Sequence, residues 1–413
     1  MKYLFCILIT AFAFTASRAQ RIAELTVHTN GSMPGTDIPV SINLDGITLL
    51  PETAITLVEV KNGKRLPVAC QIENKGRRTL YWIIHRDDPK TSKRVFELVK
   101  GTPRETAPSV QVTKETGALV ISAGQKKLLQ YNYKTHYPPA GADTAFKRSG
   151  FIHPLWTPHG QALTRINPPD HYHHYGLWNP WTKVLFEGET VDFWNLKDKK
   201  GTVRFADFVS LEQGAVYGGY QVLHQHVVFK KDGSEKIAIN ELQSVRIYQP
   251  SAFQDYYLAD VTIQLNCAAG SPVVLQEYRY GGLGWRATAD WNKHNSEMLT
   301  SEGNTRKDAD GSKARWVIVQ GSLGQDYGGA VMMSYPVNYN YPEPLRIWPE
   351  NIMPDGDVYA NFSPTKDMDW TLEPGHDYVL KYRFLVFNGK FDQKKAEAAW
   401  QYFAHPPEIS VKQ

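Results

Sequence analysis

Helical periodicity is almost missing from this sequence, and that constrains its fold more than any other feature. The stretches Ala118 to Ile121, Lys127 to Tyr133, Gly219 to Phe229, Lys236 to Tyr248, Tyr257 to Leu265, Ala314 to Gln320, Ala330 to Ser334 and Tyr378 to Phe387 are rich in β-branched and aromatic residues. They carry period-two alternation, the pattern of a strand with one face buried. The exception is Asp392 to Ala404, where Ala396, Ala399, Trp400 and Phe403 recur at helical spacing behind an Asp392 cap. Strands in this number, with few helices to cross between them, predict large antiparallel sheets packed face to face. From about Val110 onward the expectation is one extended β-sandwich ending in a short helix.

The preceding region is a smaller version of the same pattern. Ile38, Val40, Ile42 and Leu44 alternate, as do Ile55 and Leu57, then Leu66, Val68 and Cys70, then Tyr81 and Ile83, then Val95, Glu97 and Val99. Met33-Pro34-Gly35, Asp45-Gly46 and Asn62-Gly63 supply turns, which predicts a small antiparallel sandwich over residues 20–108. Thr102 to Ser109, with Pro103 and Pro108 among polar residues, reads as a linker to a second domain over residues 109–413. The expected class is all-β, in two domains.

Residues 1–19 have the plan of an export signal: a charged Lys2, an apolar run from Tyr3 to about Ala16, and Ser17-Arg18-Ala19 before Gln20. Export to a periplasm follows, and no later stretch is apolar enough to predict a membrane span. Without Lys2 and Arg18, 44 basic residues stand against 42 acidic ones, so no nucleic-acid groove is expected. Cys70 and Cys267 would be the remaining cysteines, able to pair but too few for a disulfide framework.

The chemistry concentrates between Arg148 and Asn195. This stretch holds His153, His159, His171, His173 and His174, together with Trp156, Trp178, Trp181 and Trp194, Asp170 and Asp192. Five prolines interrupt it, so it reads as loops and short strands on a sheet scaffold, where sites usually lie. In an acid/base reading His173 or His174 transfers a proton, His171 and Asp170 support it, and Asp192 orients or stabilises charge. A tryptophan then stacks on a substrate ring. Trp178 and Trp181, flanking Asn179-Pro180, are the expected surface platforms, while Trp156 and Trp194 are expected in the core. If His171 to Leu177 is extended, His171 and His173 face one side and His174 the other. A metal reading takes His171 and His173 as an H-x-H pair, joined by His153 or by His224 and His226. The bland alternative has these histidines hydrogen-bonding nearby loop groups, and it is favoured for His224 and His226.

A second cluster runs from Gln276 to Arg286, Q-E-Y-R-Y-G-G-L-G-W-R. Its glycines have no nucleotide-binding spacing. Arg286 offers a clamp for an anion or hydroxyl, against a structural ion pair, and Glu277 a base. The proline-rich loop Tyr335 to Asp357, with Arg346 and Trp348, is read either as closing a cleft or as a rigid surface loop, and is given no role.

At Phe151 to Thr164 (F-I-H-P-L-W-T-P-H-G-Q-A-L-T), Asp170 to Trp178 (D-H-Y-H-H-Y-G-L-W), Asp192 to Trp194 (D-F-W) and Gly281 to Arg286 (G-G-L-G-W-R), the chain resembles the "methane oxygenase PmoA-like" family of exported bacterial domains. The resemblance extends from about Ala118 to Ala404 and maps its pattern onto His153, Asp170, His171, His173, His174 and Arg286. Tyr172 and Tyr175 stand where the family often has proline and arginine, so any role of that arginine does not transfer. The family implies an exported protein found beside glycan-degradation genes, and the large sandwich is similar to the galactose-mutarotase type of supersandwich. The leading expectation is a carbohydrate-active enzyme that hydrolyses, eliminates or epimerises at a sugar carbon. His171, His173, His174 and Asp170 form its catalytic group, and His153, Arg286, Trp178, Trp181, Asp192 and Glu277 bind substrate. No cofactor is expected, with a metal ion at His171 and His173 as the alternative. A non-catalytic glycan-binding protein and, from the family label, a metal-dependent oxygenase are the competing readings.

Overall fold

The computed structural model describes residues 20–29, 36–85, 92–103, 109–250 and 255–413. The expected leader, the Met33-Pro34-Gly35 turn and most of the expected linker lie outside the described residues.

Two sheets make the small N-terminal sandwich. One runs in the order Glu408–Lys412, Arg21–His28, Lys93–Lys100, Ile55–Lys61, Lys64–Val68; the other is Ile38–Asn43, Arg78–Ile84, Cys70–Asn74. Asn62 and Gly63, both at positive φ (52° and 75°), close the hairpin in which Lys61 pairs with Lys64, as the Asn-Gly signal requires. Leu25, Val27, Val40, Leu57, Leu80, Trp82, Phe96 and Leu98 fill the space between the sheets. Two strands face the other way from the sequence expectation. Leu80, Trp82 and Ile84 point into the small core, while Ile83 and Tyr81 pack on the larger domain, Tyr81 edge-on to Tyr217 at 5.3 Å. Phe96 and Leu98 likewise displace Val95, Glu97 and Val99, and Glu97 is buried beside Arg65 at 2.6 Å. With both faces covered, alternation alone does not tell inside from outside.

The first strand of this sandwich is completed from the far end of the chain, because Leu25 pairs with Val411 and Val27 with Ile409. The expected boundary at residues 109–413 is therefore corrected: the last strand belongs to the small sandwich. Five residues after a helix carry no alternation long enough to reveal their partner.

The large domain packs two eight-stranded sheets. One runs Leu345–Ile347, Tyr359–Phe362, Gly284–Arg286, Leu177–Trp178, Phe151–Leu155, Lys126–Asn132, Ala118–Ala123, Val110–Glu115. The other runs Gly201–Glu212, Tyr217–Phe229, Glu235–Tyr248, Tyr256–Cys267, Tyr378–Asn388, Asp326–Ser334, Trp316–Leu323, Ser296–Thr300. Their ladders are antiparallel. Between them lies one continuous core including Leu129, Ile152, Trp181, Val222, Val261, Trp285, Met332 and Phe384. The helix Gln393–Ala404 starts where predicted, the Asp392 carboxylate accepting from the Lys395 amide at 2.9 Å. It lays Ala396, Ala399, Trp400 and Phe403 on the outer face of the second sheet against Val331, Met333, Leu385 and Phe387. Each fully buried side chain of this size contributes on the order of 1.5–3 kcal/mol. The chain is thus all-β, a small antiparallel sandwich followed by a large two-sheet supersandwich with a short C-terminal helix. Cys70 and Cys267 are both free.

Candidate functional site

The loop before the short strand Leu177–Trp178 is where the site forms. Pro168 and Pro169 cannot extend a ladder, and the chain turns back on itself instead: the His171 amide donates to the Pro168 carbonyl at 2.9 Å and the His174 amide to the His171 carbonyl at 3.0 Å. Asn167, at φ 44°, closes the turn by donating its amide to the His174 carbonyl at 2.9 Å. Gly176, at φ 60°, then passes so close to the neighbouring strand that a Cβ would lie 2.2 Å from the Ile152 carbonyl oxygen.

This turn corrects the extended reading of His171 to Leu177. In a turn the two-sided alternation of a strand does not apply, and His171, His173 and His174 point together, one ring nitrogen from each lying within 4.8 Å of the others. Ring centroids are 4.7 Å apart for His171 and His174, 4.7 Å for His173 and His174, and 5.3 Å for His171 and His173. Burial, helped by the nearby His171 and Arg148, pushes His173 down to about 3. His174, more deeply buried beside His173 and His171, is pushed well below the usual imidazole value. Both shifts favour the neutral imidazole, whose free ring nitrogen can accept a proton or bind a cation. Nδ1 of His174 is buried with no hydrogen-bond partner.

Asp170 fixes the third ring. Its Oδ2 lies 2.7 Å from Nδ1 of His171 and 2.8 Å from Nη2 of Arg286. Burial pushes the Asp170 carboxyl up, but the His171 hydrogen bond and the Arg286 charge outweigh it and hold the group at about 2. Arg286 reaches this position because Gly284–Arg286 pairs with Leu177–Trp178 in the same sheet. It is fully buried, donates to Asp357 at 2.5 Å as well, and lies 4.5 Å over the Trp348 ring. Arg165 shares Asp357 at 2.6 Å. Of the two readings of Arg286, its ion pairs with Asp170 and Asp357 and its absence from the cavity lining favour the structural one.

A cavity of about 170 Å3 opens against the three imidazoles, lined also by Trp194, Arg279, Tyr280, Arg346, Trp348, Ile352, Met353 and Tyr359. No carboxylate is among these lining residues. Arg279 is exposed and stacks on Tyr280 at 5.3 Å, and Arg346 pairs with Asp310 at 2.5 Å. A larger hollow of about 520 Å3 lies at the seam with the small sandwich, lined by Leu66, Val68, Ile83, Phe96 and Val216. Among the described residues it gathers no comparable set of reactive groups.

The remaining candidates fall elsewhere. Trp178 and Trp181 are each 1% exposed, so neither is a surface platform: Trp178 sits in an aromatic cluster behind His174, and Trp181 in the main core. Trp178 ends the short strand Leu177–Trp178, and Trp181 follows it three residues on. Trp194 is buried as expected, yet it lines the cavity, while Trp156, expected in the core, is half-buried on another face near Lys126 and His159. His153 does not line the cavity, and its Nδ1 lies 2.9 Å from the Thr164 hydroxyl. Asp192 accepts from the Trp194 and Asn195 amides, each at 2.8 Å, and so shapes the turn that carries Trp194 instead of facing a ligand. Glu277 is exposed and outside the cavity. His224 and His226 each place a ring nitrogen 3.0 Å from the buried Glu241 carboxylate, with Tyr131 2.6 Å from His224 and Asn179 donating to Glu241 at 3.0 Å. They belong to the core and do not join the trio.

Arg279, Tyr280, Trp348, Met353 and Tyr359 went unassigned in the sequence. The signals were the basic and aromatic residues of the Gln276 to Arg286 segment and the proline-rich loop carrying Arg346 and Trp348, which does form one wall.

Among solved structures the chain is similar to an alpha-mannosidase from Enterococcus faecalis V583, at 8% sequence identity and a TM-score of 0.48. The match covers 96% of this chain and 47% of that one, so the chain spans about half the mannosidase's length. No curated protein matches. Residues 118–401, which carry both large sheets apart from the edge strand Val110–Glu115, the histidine turn and most of the helix, match a family of unknown function (DUF6807), and the chain belongs to that family.

Proposed function

We propose that this protein is an exported carbohydrate-active enzyme whose catalytic centre is the cavity at His171, His173 and His174, and that it acts on an acidic sugar by elimination or epimerisation. The observation that carries this reading is the composition of the cavity: three converging imidazoles, two arginines and the aromatic side chains of Trp194, Tyr280 and Trp348, with no carboxylate. Aromatic faces suit a sugar ring, and two guanidinium groups suit an anion on it. Glycoside hydrolysis ordinarily needs a pair of carboxyl groups across the bond, which this lining does not supply. Proton removal beside a carboxylate needs instead a base and positive charge where negative charge develops, and this lining offers both. The resemblance to exported domains found beside glycan-degradation genes supports the same substrate class.

Screening the purified protein against uronides, oxidised sugars and neutral glycosides tests the proposal. Turnover confined to acidic members is expected, and it should fall at least about 100-fold in a folded His173→Ala/His174→Ala variant, within the range for loss of an acid/base group. No turnover of any member, or undiminished turnover by that variant, overturns it. Calorimetry showing sugar binding without product would return the glycan-binding reading.

A further inference from the structure

We propose that His171, His173 and His174 together bind one divalent transition-metal ion, with Asp170 as the carboxylate that orients the His171 ring. The proposal concerns the same cavity as the catalytic reading but does not depend on its substrate. Three observations carry it. One ring nitrogen from each histidine lies within 4.8 Å of the other two. Among the described residues, Asp170 is the only hydrogen-bond partner of any ring nitrogen in the trio, and Nδ1 of the buried His174 has none. A cavity meets the trio, so an ion and a further ligand have a way in.

A set of imidazoles with no other purpose would be expected to use its nitrogens. The buried His224 and His226 each spend one ring nitrogen on Glu241 at 3.0 Å, and His224 also lies 2.6 Å from Tyr131, while Nδ1 of His226 has no partner. The trio instead crowds three imidazoles against one another and leaves Nδ1 of the buried His174 without a partner. Metal–nitrogen distances near 2.1 Å put tetrahedral ligands roughly 3.4 Å apart, so nitrogens now within 4.8 Å of one another need to close by at most about 1.4 Å, a movement for side-chain torsions. Asp170 takes Nδ1 of His171 and leaves Nε2 as the ligand atom, the arrangement in which a carboxylate fixes a ligating imidazole. Arg286, itself held by Asp357, fixes Asp170 in turn.

An all-imidazole set suits zinc, cobalt, nickel, copper or ferrous iron and not magnesium or calcium, which take oxygen ligands. Three protein ligands leave a coordination position for water or substrate, as in catalytic centres generally. Such an ion adds positive charge beside Arg279 and Arg346.

The test uses the full chain made without a histidine tag, stripped with chelator and reconstituted with Zn2+ or Co2+. After desalting, about one equivalent should remain by elemental analysis, and the Co2+ form should show a visible ligand-field spectrum. His173→Ala and His171→Ala, checked for fold by circular dichroism, should each lose that spectrum and retain under a tenth of an equivalent. Because a variant can fail to fold, X-ray absorption on the wild-type Co2+ form provides a second measure, with a first shell of nitrogen at imidazole distances expected. Retention below a tenth of an equivalent by wild-type protein, or an unchanged spectrum in folded His173→Ala, overturns the metal site. Metal binding without turnover of any sugar leaves the site standing and removes the catalytic reading.

Discussion

Oδ2 of Asp170 lies 2.7 Å from Nδ1 of His171, so the carboxylate sets which nitrogen of that ring faces the cavity. The same oxygen lies 2.8 Å from the buried Arg286, which makes the geometry of one exposed turn depend on a strand more than a hundred residues away. Asp170→Asn removes the charge and keeps the shape. Loss of such an orienting carboxylate typically costs about 10–100-fold in activity or metal affinity. The expected outcome is a drop of that size in kcat/KM, with a loss of about 1–3 kcal/mol in stability because Arg286 keeps Asp357. Steady-state kinetics beside urea unfolding checks both parts; unchanged kinetics would remove Asp170 from the site.

Arg279 differs from Arg286 in every respect that matters for binding. It is exposed, stacks on Tyr278 and Tyr280, and lines the cavity. A charge-assisted hydrogen bond to a substrate anion contributes about 1.5–3 kcal/mol, or roughly 10–100-fold in affinity. Arg279→Ala should therefore raise KM for an acidic sugar by that factor, leave kcat little changed, and leave binding of the neutral analogue unaltered. Equal effects on both sugars would show that the arginine supports the cavity wall and does not read the anion.

The contrast between these two arginines shows what the sequence could and could not disclose. Strand identity in the large domain was legible because each long strand has one face in the core and β-branched residues along it, and the helix was legible from its cap and its spacing. Which face of Arg78–Ile84 pointed inward was not, since Trp82 and Ile83 are both buried, against different domains. The histidine block was visible as a candidate site, but its convergence was not. Pro168 and Pro169 break the extended run, and the turn they start is closed by hydrogen bonds among Asn167, His171 and His174 that no periodicity encodes. Arg286 and Arg279 are seven positions apart in one glycine-rich segment, and only sheet pairing decides that one is buried with Asp170 while the other faces solvent. Trp178, expected as a platform, is buried, and Trp348, given no role, lines the cavity.

Glu241 separates the second histidine pair from the first. It is 1% exposed and accepts from Asn179 at 3.0 Å, with His224 and His226 each 3.0 Å away. Burial pushes its carboxyl up, but those hydrogen bonds outweigh burial and hold it at about 2, below the ordinary 4.5. A depressed carboxyl contributes stability that is complete above the unfolded value and disappears as pH falls through the folded one. Wild-type stability should accordingly fall between pH 4.5 and about 2, and Glu241→Gln should flatten that part of the profile. At pH 7 the variant should be about 1–3 kcal/mol less stable while its kcat/KM stays at the wild-type value. A large kinetic effect in a folded variant would bring His224 and His226 back as functional residues.

Glu343 makes the opposite prediction. It is fully buried and accepts from Ser334 at 2.5 Å, Asn338 at 2.8 Å and Tyr382 at 2.8 Å, tying the loop that carries Arg346 and Trp348 to the second sheet. Burial dominates these hydrogen bonds and raises the carboxyl from the ordinary 4.5 to about 7. The folded chain then holds a proton that the unfolded chain has released, so between pH 4.5 and about 7 stability must fall as pH rises. Above that window the ionised group stays as a constant cost, at about 1.4 kcal/mol for each unit of displacement. Glu343→Gln keeps the shape and a hydrogen-bonding end but cannot ionise. It should match wild type near pH 4.5 and exceed it by on the order of 1–3 kcal/mol at pH 8. Chemical unfolding at pH 4.5, 6 and 8 gives the comparison; parallel profiles for the two proteins would mean that Glu343 does not change ionisation across this range.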